Sequence, residues 1–240
     1  HAVLQGLEDK DEGVLILLGD TVFDVDFKKF VSSGKNAIAV VKVDDPRRFG
    51  VAEIDSNHRI TNLVEKPEHP KSNLAIAGMY YFKDQRILKA AIEKLISDDI
   101  KTRGEYQLTD ALQLMLENGE YIEAVEINGW YDCGTKESLL SSHRFLLNHH
   151  LSTEHSKGCI IHPPVFIHAE AKVKNSVIGP NVTIDKGAEV SGSILTETIV
   201  GKESVIENMI LRHSLIGDHA LVEGQMRAIN VGDYSELQLN

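Results

Sequence analysis

The chain has only two cysteines, Cys133 and Cys159, in 240 residues. Two thiols build no disulfide framework, and neither has the spaced neighbours of a metal knuckle, so a reducing, cytoplasmic setting is expected. Long apolar stretches are missing as well. The longest run, residues 14–18, has five residues, far short of the roughly 20 that a membrane-spanning helix needs. No signal peptide is expected ahead of it, and no membrane partner is expected. Basic residues are scarce, 25 against 36 acidic, for a formal net charge of −11. Such a balance repels a phosphate backbone, which argues against nucleic acid as a partner. A phosphorylated small molecule stays open, because a divalent metal bridges carboxylates and phosphates.

What is present suits a folded chain with a core. Hydrophobic residues make up 42% and charged residues 25%, ordinary values for a globular protein. The length allows two modest domains. Residues 14–18 read as a strand buried on both faces of a parallel sheet. Residues 37–43 and 76–82 read as further strands, and 51–54 with 60–64 as a short pair around a polar turn. Between them, residues 27–33, 87–96 and 109–117 carry apolar side chains at three- and four-residue spacing, as helices packed on a sheet do. Strand and helix in alternation predict an α/β layer fold over residues 1–150.

After residue 150 the texture changes. A polar connector, with a linker at 151–158, leads into a repeat over 159–235. Val177-Ile178-Gly179, Ile199-Val200-Gly201 and Leu215-Ile216-Gly217 share an aliphatic–glycine pattern. Aliphatics step by six through Ile161, Ile167 and Val173, through Ile178, Ile184 and Val190, and again through Val200 with Ile206 and Ile216 with Val222. A hexad is the signature of a parallel β-helix with three hexads per coil. Coil starts at Ile161, Ile178, Val200 and Ile216 lie 17, 22 and 16 residues apart. The three glycines are expected at equivalent corners, where close backbone approach is cheapest. A β-sandwich with turn glycines is the competing fold.

Candidate chemistry follows from position. In an open parallel sheet, ligands bind at the carboxyl ends of strands, and the strand at 14–18 delivers Asp20 there, beside Gly19. Asp20 either holds Mg²⁺ or caps the segment that follows. Asp132 stands in an aromatic- and glycine-rich stretch with Trp130, where Thr135 suits a helix cap. Glu65-Lys66-Pro67 follows a strand. Lysine suits a phosphate and glutamate suits sugar hydroxyls, although an exposed ion pair beside a turn is the plainer account. Glu105 is a sugar-binding candidate or a solvated turn residue, and Thr109 or Asp110 is expected to cap the next helix.

In this order, Leu18-Gly19-Asp20, Arg48-Phe49-Gly50-Val51, Val64-Glu65-Lys66-Pro67, Ala77-Gly78-Met79-Tyr80, the stretch from Gly104 to Asp110 and that from Trp130 to Thr135 resemble the sugar-1-phosphate nucleotidyltransferases. The likeness is to their glucose-1-phosphate thymidylyltransferase branch. The resemblance implies a Rossmann-like nucleotidyltransferase domain followed by a left-handed parallel β-helix. It implies Asp20 and Asp132 as carboxylates holding Mg²⁺, and Asp20, Lys66 and Asp132 as the catalytic set. Gly50, Glu65, Lys66, Gly78, Glu105 and Trp130 would meet the substrate. The substrates implied are a nucleoside triphosphate, dTTP or UTP, and glucose 1-phosphate, with N-acetylglucosamine or mannose as other sugars. Assembly into a homo-oligomer through the tail is also implied. In-line attack on the α-phosphorus needs positioning and charge neutralisation rather than a nucleophilic side chain, which agrees with the lack of a nucleophilic triad.

One departure stands out. The family opens with a glycine-rich phosphate loop that this sequence does not contain, and its corresponding segment ends just before a His-Ala-Val like that at residues 1–3. The chain is therefore expected to be a fragment, with an incomplete domain and little or no transferase activity alone. Two other readings compete. One is a non-catalytic scaffold relative, and the other is a bifunctional enzyme with an acyltransferase in the β-helix, using His213 or His219.

Overall fold

The computed structural model describes residues 2–32, 34–149 and 158–225. Most of the expected linker at 151–158, and the last part of the repeat expected at 159–235, lie outside them. The chain divides into two compact units, His1–Gly134 and Thr135–Asn240.

The first unit runs α1 (Ala2–Gly6), β1 (Val14–Leu17), β2 (Thr21–Phe23), α2 (Phe27–Val31), β3 (Ala37–Lys42), a 3₁₀ turn at Pro46–Arg48, β4 (Gly50–Ile54), β5 (Ile60–Glu65), β6 (Leu74–Phe82), α3 (Gln85–Ser97), α4 (Leu108–Glu117), β7 (Glu123–Glu126) and β8 (Trp130–Asp132). The expected helices and most strands are there, because their signals are local. Asp26 and Asp84 cap α2 and α3 by accepting N–H bonds from Lys29 and Arg86, at 3.1 and 3.0 Å. Leu88, Ala91, Ile92 and Leu95 form the buried stripe of α3, and Ala111, Leu112 and Met115 that of α4. Asp55 folds the hairpin turn by accepting from the N–H groups of Asn57 and Arg59. Neither Thr109 nor Asp110 caps α4. Its first turn follows Gln107, which makes no side-chain cap bond, and Asp110 instead accepts a 2.7 Å bond from Thr102.

β6 is the spine of the sheet, in the order β5-β4-β6-β3-β7 with β1 also beside β6. The sheet is mixed rather than parallel. Only β3 and β7 run together, and the other pairs are antiparallel. The expectation for residues 14–18 therefore needs correction. β1 lies antiparallel to β6, and its alternation leaves Leu15 37% and Leu17 44% exposed. An unbroken apolar run reports polarity on both faces, not whether a layer covers both. Val14 and Ile16 pack on the core that holds Phe82, Leu88 and Leu112. A smaller core gathers Phe30, Ala37, Ala39, Ala77, Met79 and Ile127.

The second unit begins with α5 (Lys136–His149). There follow β9 (Ile160–Ile161), β10 (Val165–Ile167), β11 (Lys172–Lys174), β12 (Val177–Ile178), β13 (Val182–Ile184), β14 (Glu189–Ser191), β15 (Ile194–Val200), β16 (Val205–Glu207), β17 (Ile210–Ile216) and β18 (Leu221–Glu223). Every pairing among these strands is parallel, coil upon coil. This is a parallel β-solenoid, as the hexads predicted. Its aliphatic columns are Ile161–Ile178–Leu195–Leu211, Ile167–Ile184–Val200–Ile216 and Val173–Val190–Ile206–Val222.

The coil phasing is corrected by that register. Val200 stacks on Ile184, and the partner of Ile178 is Leu195. Successive members of the first column are 17, 17 and 16 residues apart. The step from Leu195 to Val200 is five residues, so a strict six-residue search passes over Leu195. Gly201 and Gly217 follow stacked residues of one column, while Gly179 follows a member of another. In α5, the Thr135 hydroxyl accepts the Ser138 N–H, as expected of a cap. His143 meets the Thr183 hydroxyl at 2.8 Å through Nε2, and Arg144 donates to Glu197 at 2.5 Å. Among the described residues, no helix is long and apolar enough to cross a membrane.

Candidate active site

A two-stranded ribbon brings the two expected aspartates together. β2 and β8 pair antiparallel with Thr21 opposite Asp132 and Phe23 opposite Trp130. Beyond the last pair, the Cys133 N–H donates to the Asp20 carbonyl at 2.8 Å. At the other end the Asp24 N–H reaches the Gly129 carbonyl at 2.8 Å. A methyl group on Gly129 would sit 2.0 Å from the Asp24 carbonyl oxygen, so this end closes only on glycine. A methyl on Gly134 would lie 3.1 Å from Asp132 Oδ1 and 3.9 Å from Asp20 Oδ2. An oxygen of each carboxylate therefore lies within 4 Å of that one position. The Gly134 N–H already donates to Asp132 Oδ1 at 3.0 Å.

That spot opens into a cavity of about 360 Å³, lined by Asp20, Arg48, Phe49, Gly50, Glu65, Lys66, Tyr80, Gln107, Thr109 and Asp132 among others. Glu65 ends β5, directly opposite Gly50 on β4. Its side chain is 9% exposed, yet both oxygens are engaged. Oε2 accepts from the Thr109 hydroxyl at 2.7 Å, and Oε1 lies 3.5 Å from Lys66 Nζ. Lys66 has a left-handed backbone, φ 43°, a strained conformation for a side-chain-bearing residue. The turn is held from two sides. The Lys66 N–H donates to the Phe49 carbonyl at 3.0 Å, and its own carbonyl accepts from Arg103 at 2.8 Å. The Lys66 side chain is left 39% exposed, at the cavity wall.

Tyr80 stands in the same lining, almost wholly buried. Burial, then the negative charges of Glu65 and Asp20, push its hydroxyl well above the ordinary tyrosine range. It is a neutral hydroxyl set among carboxylates.

The structure thus brings Asp20, Gly50, Glu65, Lys66 and Asp132 into one cavity. Three other expected residues do not line it. Gly78 is buried in β6, where its carbonyl accepts the Leu18 N–H at 2.9 Å, and it is Leu18 that lines the cavity. The Trp130 indole donates to the Ala77 carbonyl at 2.9 Å and meets Phe49 edge-on at 5.3 Å, so Phe49 stands at the wall with Trp130 against it. Glu105 sits in an exposed turn bridged to Thr102, with Gln107 donating to its carboxylate at 3.2 Å. Thr109, Tyr80, Gln107 and Arg48 also line the cavity; the sequence placed them within the matching segments but gave none of them a part in the site. Thr109 and Gln107 lie in the stretch assigned to capping, and Tyr80 sits inside an apolar strand.

The donors suit one cation class. Among the described residues no group of three or more His, Cys, Asp or Glu could cage a metal. Two neighbouring carboxylates fit a hard, oxygen-seeking divalent ion that keeps waters and substrate phosphates among its ligands. They do not fit a closed structural zinc site.

Residues 2–149 match a family model described as nucleotidyl transferase, and residues 142–226 match one described as GlmU-like, C-terminal hexapeptide. The chain is 37% identical to the bifunctional protein GlmU of Methanocaldococcus jannaschii over 149 residues, 62% of this chain and 35% of that protein. It is 30% identical to the glucose-1-phosphate thymidylyltransferase of Streptomyces antibioticus, over 84% of this chain and 63% of that protein. It is also 32% identical to the bifunctional protein GlmU of Methanococcus aeolicus, over 93% of this chain and 58% of that protein. The chain accordingly spans from about a third to just under two thirds of these relatives' length.

Proposed function

The chain belongs to the nucleotidyl transferase family, and from that premise we propose that it supplies the sugar-phosphate side of a sugar-1-phosphate nucleotidyltransferase. The reaction joins glucose 1-phosphate to dTTP or UTP. A sugar-phosphate oxygen attacks the nucleotide α-phosphorus, a new P–O bond forms, the α–β bridging bond breaks and pyrophosphate leaves. Lys66 binds the sugar phosphate as a compact cation. Glu65 accepts hydrogen bonds from sugar hydroxyls, and Gly50 offers its backbone beside it. Glu105 reaches a hydroxyl from its exposed turn. Gly78 and Trp130 act from behind the wall, through Leu18 and Phe49. Asp20 and Asp132 hold a divalent cation, Mg²⁺ in this reading, which when bound neutralises phosphate charge.

One observation carries the proposal. Strands β1, β5 and β8 end at a single cavity, and they deliver Asp20, Glu65 with Lys66, and Asp132 there. A pair of carboxylates and a lysine in one lining, with Glu65 and Thr109 beside them, matches a phosphate-and-sugar ligand better than an apolar one. Calorimetric titration of the chain with glucose 1-phosphate in the presence of Mg²⁺ tests it. Binding is expected, weakened about tenfold or more by Lys66→Ala through loss of a charge-assisted contact. A chain that ignores sugar phosphates, or a Lys66→Ala variant that binds them equally well, refutes it.

The GlmU-like match of residues 142–226 favours a second reading. In it the sugar carries an acetamido group and the solenoid transfers an acyl group. The candidate histidines each face a glutamate, His213 Nδ1 at 3.8 Å from Glu197 and His219 Nδ1 at 3.2 Å from Glu203. Preference for N-acetylglucosamine 1-phosphate in the same titration, with acyl-CoA consumption abolished by His213→Ala or His219→Ala, selects it.

A further inference from the structure

Thr109 enters the cavity from α4, an element that contributes no charged group to the lining, and it is 5% exposed. A buried hydroxyl needs a partner, and its partner is Glu65 Oε2 at 2.7 Å. Glu65 has few other ways to be held. Its other oxygen lies 3.5 Å from the half-exposed Lys66 ammonium, a looser contact that a bound phosphate competes for.

Gly50 completes a triangle. A methyl group there would stand 2.8 Å from Thr109 Oγ1 and 3.1 Å from Glu65 Oε2. The backbone of β4 thus runs directly under the hydroxyl–carboxylate pair, and a side chain at position 50 would drive the two apart. We propose that Thr109 is a positioning residue: its hydroxyl pins the Glu65 carboxylate over Gly50, leaving the opposite oxygen for the ligand. The proposal rests on the sugar-phosphate reading of the cavity. It adds that the sugar-contacting geometry of β5 is set from α4, on the far side of the loop that carries Arg103 and Glu105.

A hydrogen bond to an ionised carboxylate contributes more than one between neutral groups, and a carboxylate released from its rotamer also loses pre-organisation. In calorimetric titrations of the full 240-residue chain with glucose 1-phosphate, Thr109→Val should weaken binding about tenfold. Thr109→Ser, which keeps the hydroxyl, should restore affinity to within about twofold. In a Glu65→Ala background, Thr109→Val should cost less than about twofold, since nothing is left to position. Full additivity, or an unchanged affinity in Thr109→Val, overturns the proposal. A crystal structure of Thr109→Val tests the positioning role without any sugar present. If the chain binds no sugar phosphate at all, the parent reading fails, yet a Glu65 carboxylate swung away from Gly50 still upholds the positioning role. A Glu65 carboxylate unmoved in that variant overturns it.

Discussion

His143 gives the second unit a pH dependence whose sign follows from its surroundings. The ring packs between α5 and the solenoid, with Nε2 on the Thr183 hydroxyl at 2.8 Å. Nδ1 is buried and has no partner among the described residues. Protonation would place an N–H on each nitrogen, and one of the two would face no acceptor. Burial first, and the adjacent Arg144 charge second, lower the pKa from 6.5 to about 4. The folded state therefore holds the ring neutral while the unfolded chain charges it. Stability from this site is fully present above pH 6.5 and is lost as pH falls through about 4. A shift of this size corresponds to about 3 kcal/mol for a fully buried group. The ring is only half buried, so about 1–2 kcal/mol is the fitting expectation. Hydrogen exchange at the α5 amides, read by mass spectrometry between about pH 7.5 and about pH 4.5, confines the measurement to this unit. His143→Gln keeps a partner for Thr183 and cannot titrate in this range. The wild-type chain should lose about 1–2 kcal/mol of opening free energy that the variant keeps. Parallel loss in both chains refutes the reasoning.

Gly129→Ala should open the β2–β8 ribbon, because its methyl would stand 2.0 Å from a backbone oxygen that cannot yield. The expected result is destabilisation of about 1–3 kcal/mol in urea titration, together with loss of cation binding. In Asp132→Asn an amide oxygen still accepts the Gly134 N–H. The same change should weaken Mn²⁺ binding, followed by electron paramagnetic resonance, about tenfold or more by removing one of two carboxylates. Leu195→Ala removes a fully buried member of the first solenoid column. It should cost about 2–5 kcal/mol, read as a fall in the urea midpoint of the second unit.

The helices and the solenoid were legible because their signals are periodic. Leu88, Ala91, Ile92 and Leu95 announce the buried face of α3 without knowledge of what they touch. Ile161, Ile167 and Val173 announce three sides of a coil. Strand direction was not legible. Residues 14–18 have the composition of a doubly covered parallel strand, but direction and cover depend on neighbours chosen by the fold, and Leu15 and Leu17 remain open. Solenoid phase failed for a related reason. The aliphatic–glycine pattern recurs in two different columns, and only backbone pairing tells Leu195 from Val200. Asp20, Glu65 and Lys66 could be singled out because each stands at the end of a strand legible in the sequence, and Asp132 because it sits in an aromatic- and glycine-rich stretch. Thr109 could not, because a threonine at a helix start has a local use that hides its 2.7 Å bond to Glu65.

The register of the solenoid makes its length a counted quantity. Each coil hands the next the same parallel hydrogen-bonding edge and the same inward aliphatics, as Ile178 to Leu195 to Leu211 shows. Removing one whole turn would leave the remaining turns stacked on a surface they already fit. Removing one residue from within Val182–Ile184 would instead swing the two buried side chains of that strand outward and bring Thr183 in. Growth and shrinkage of this unit therefore proceed in complete turns of 16 or 17 residues, the way a staircase is altered by whole steps.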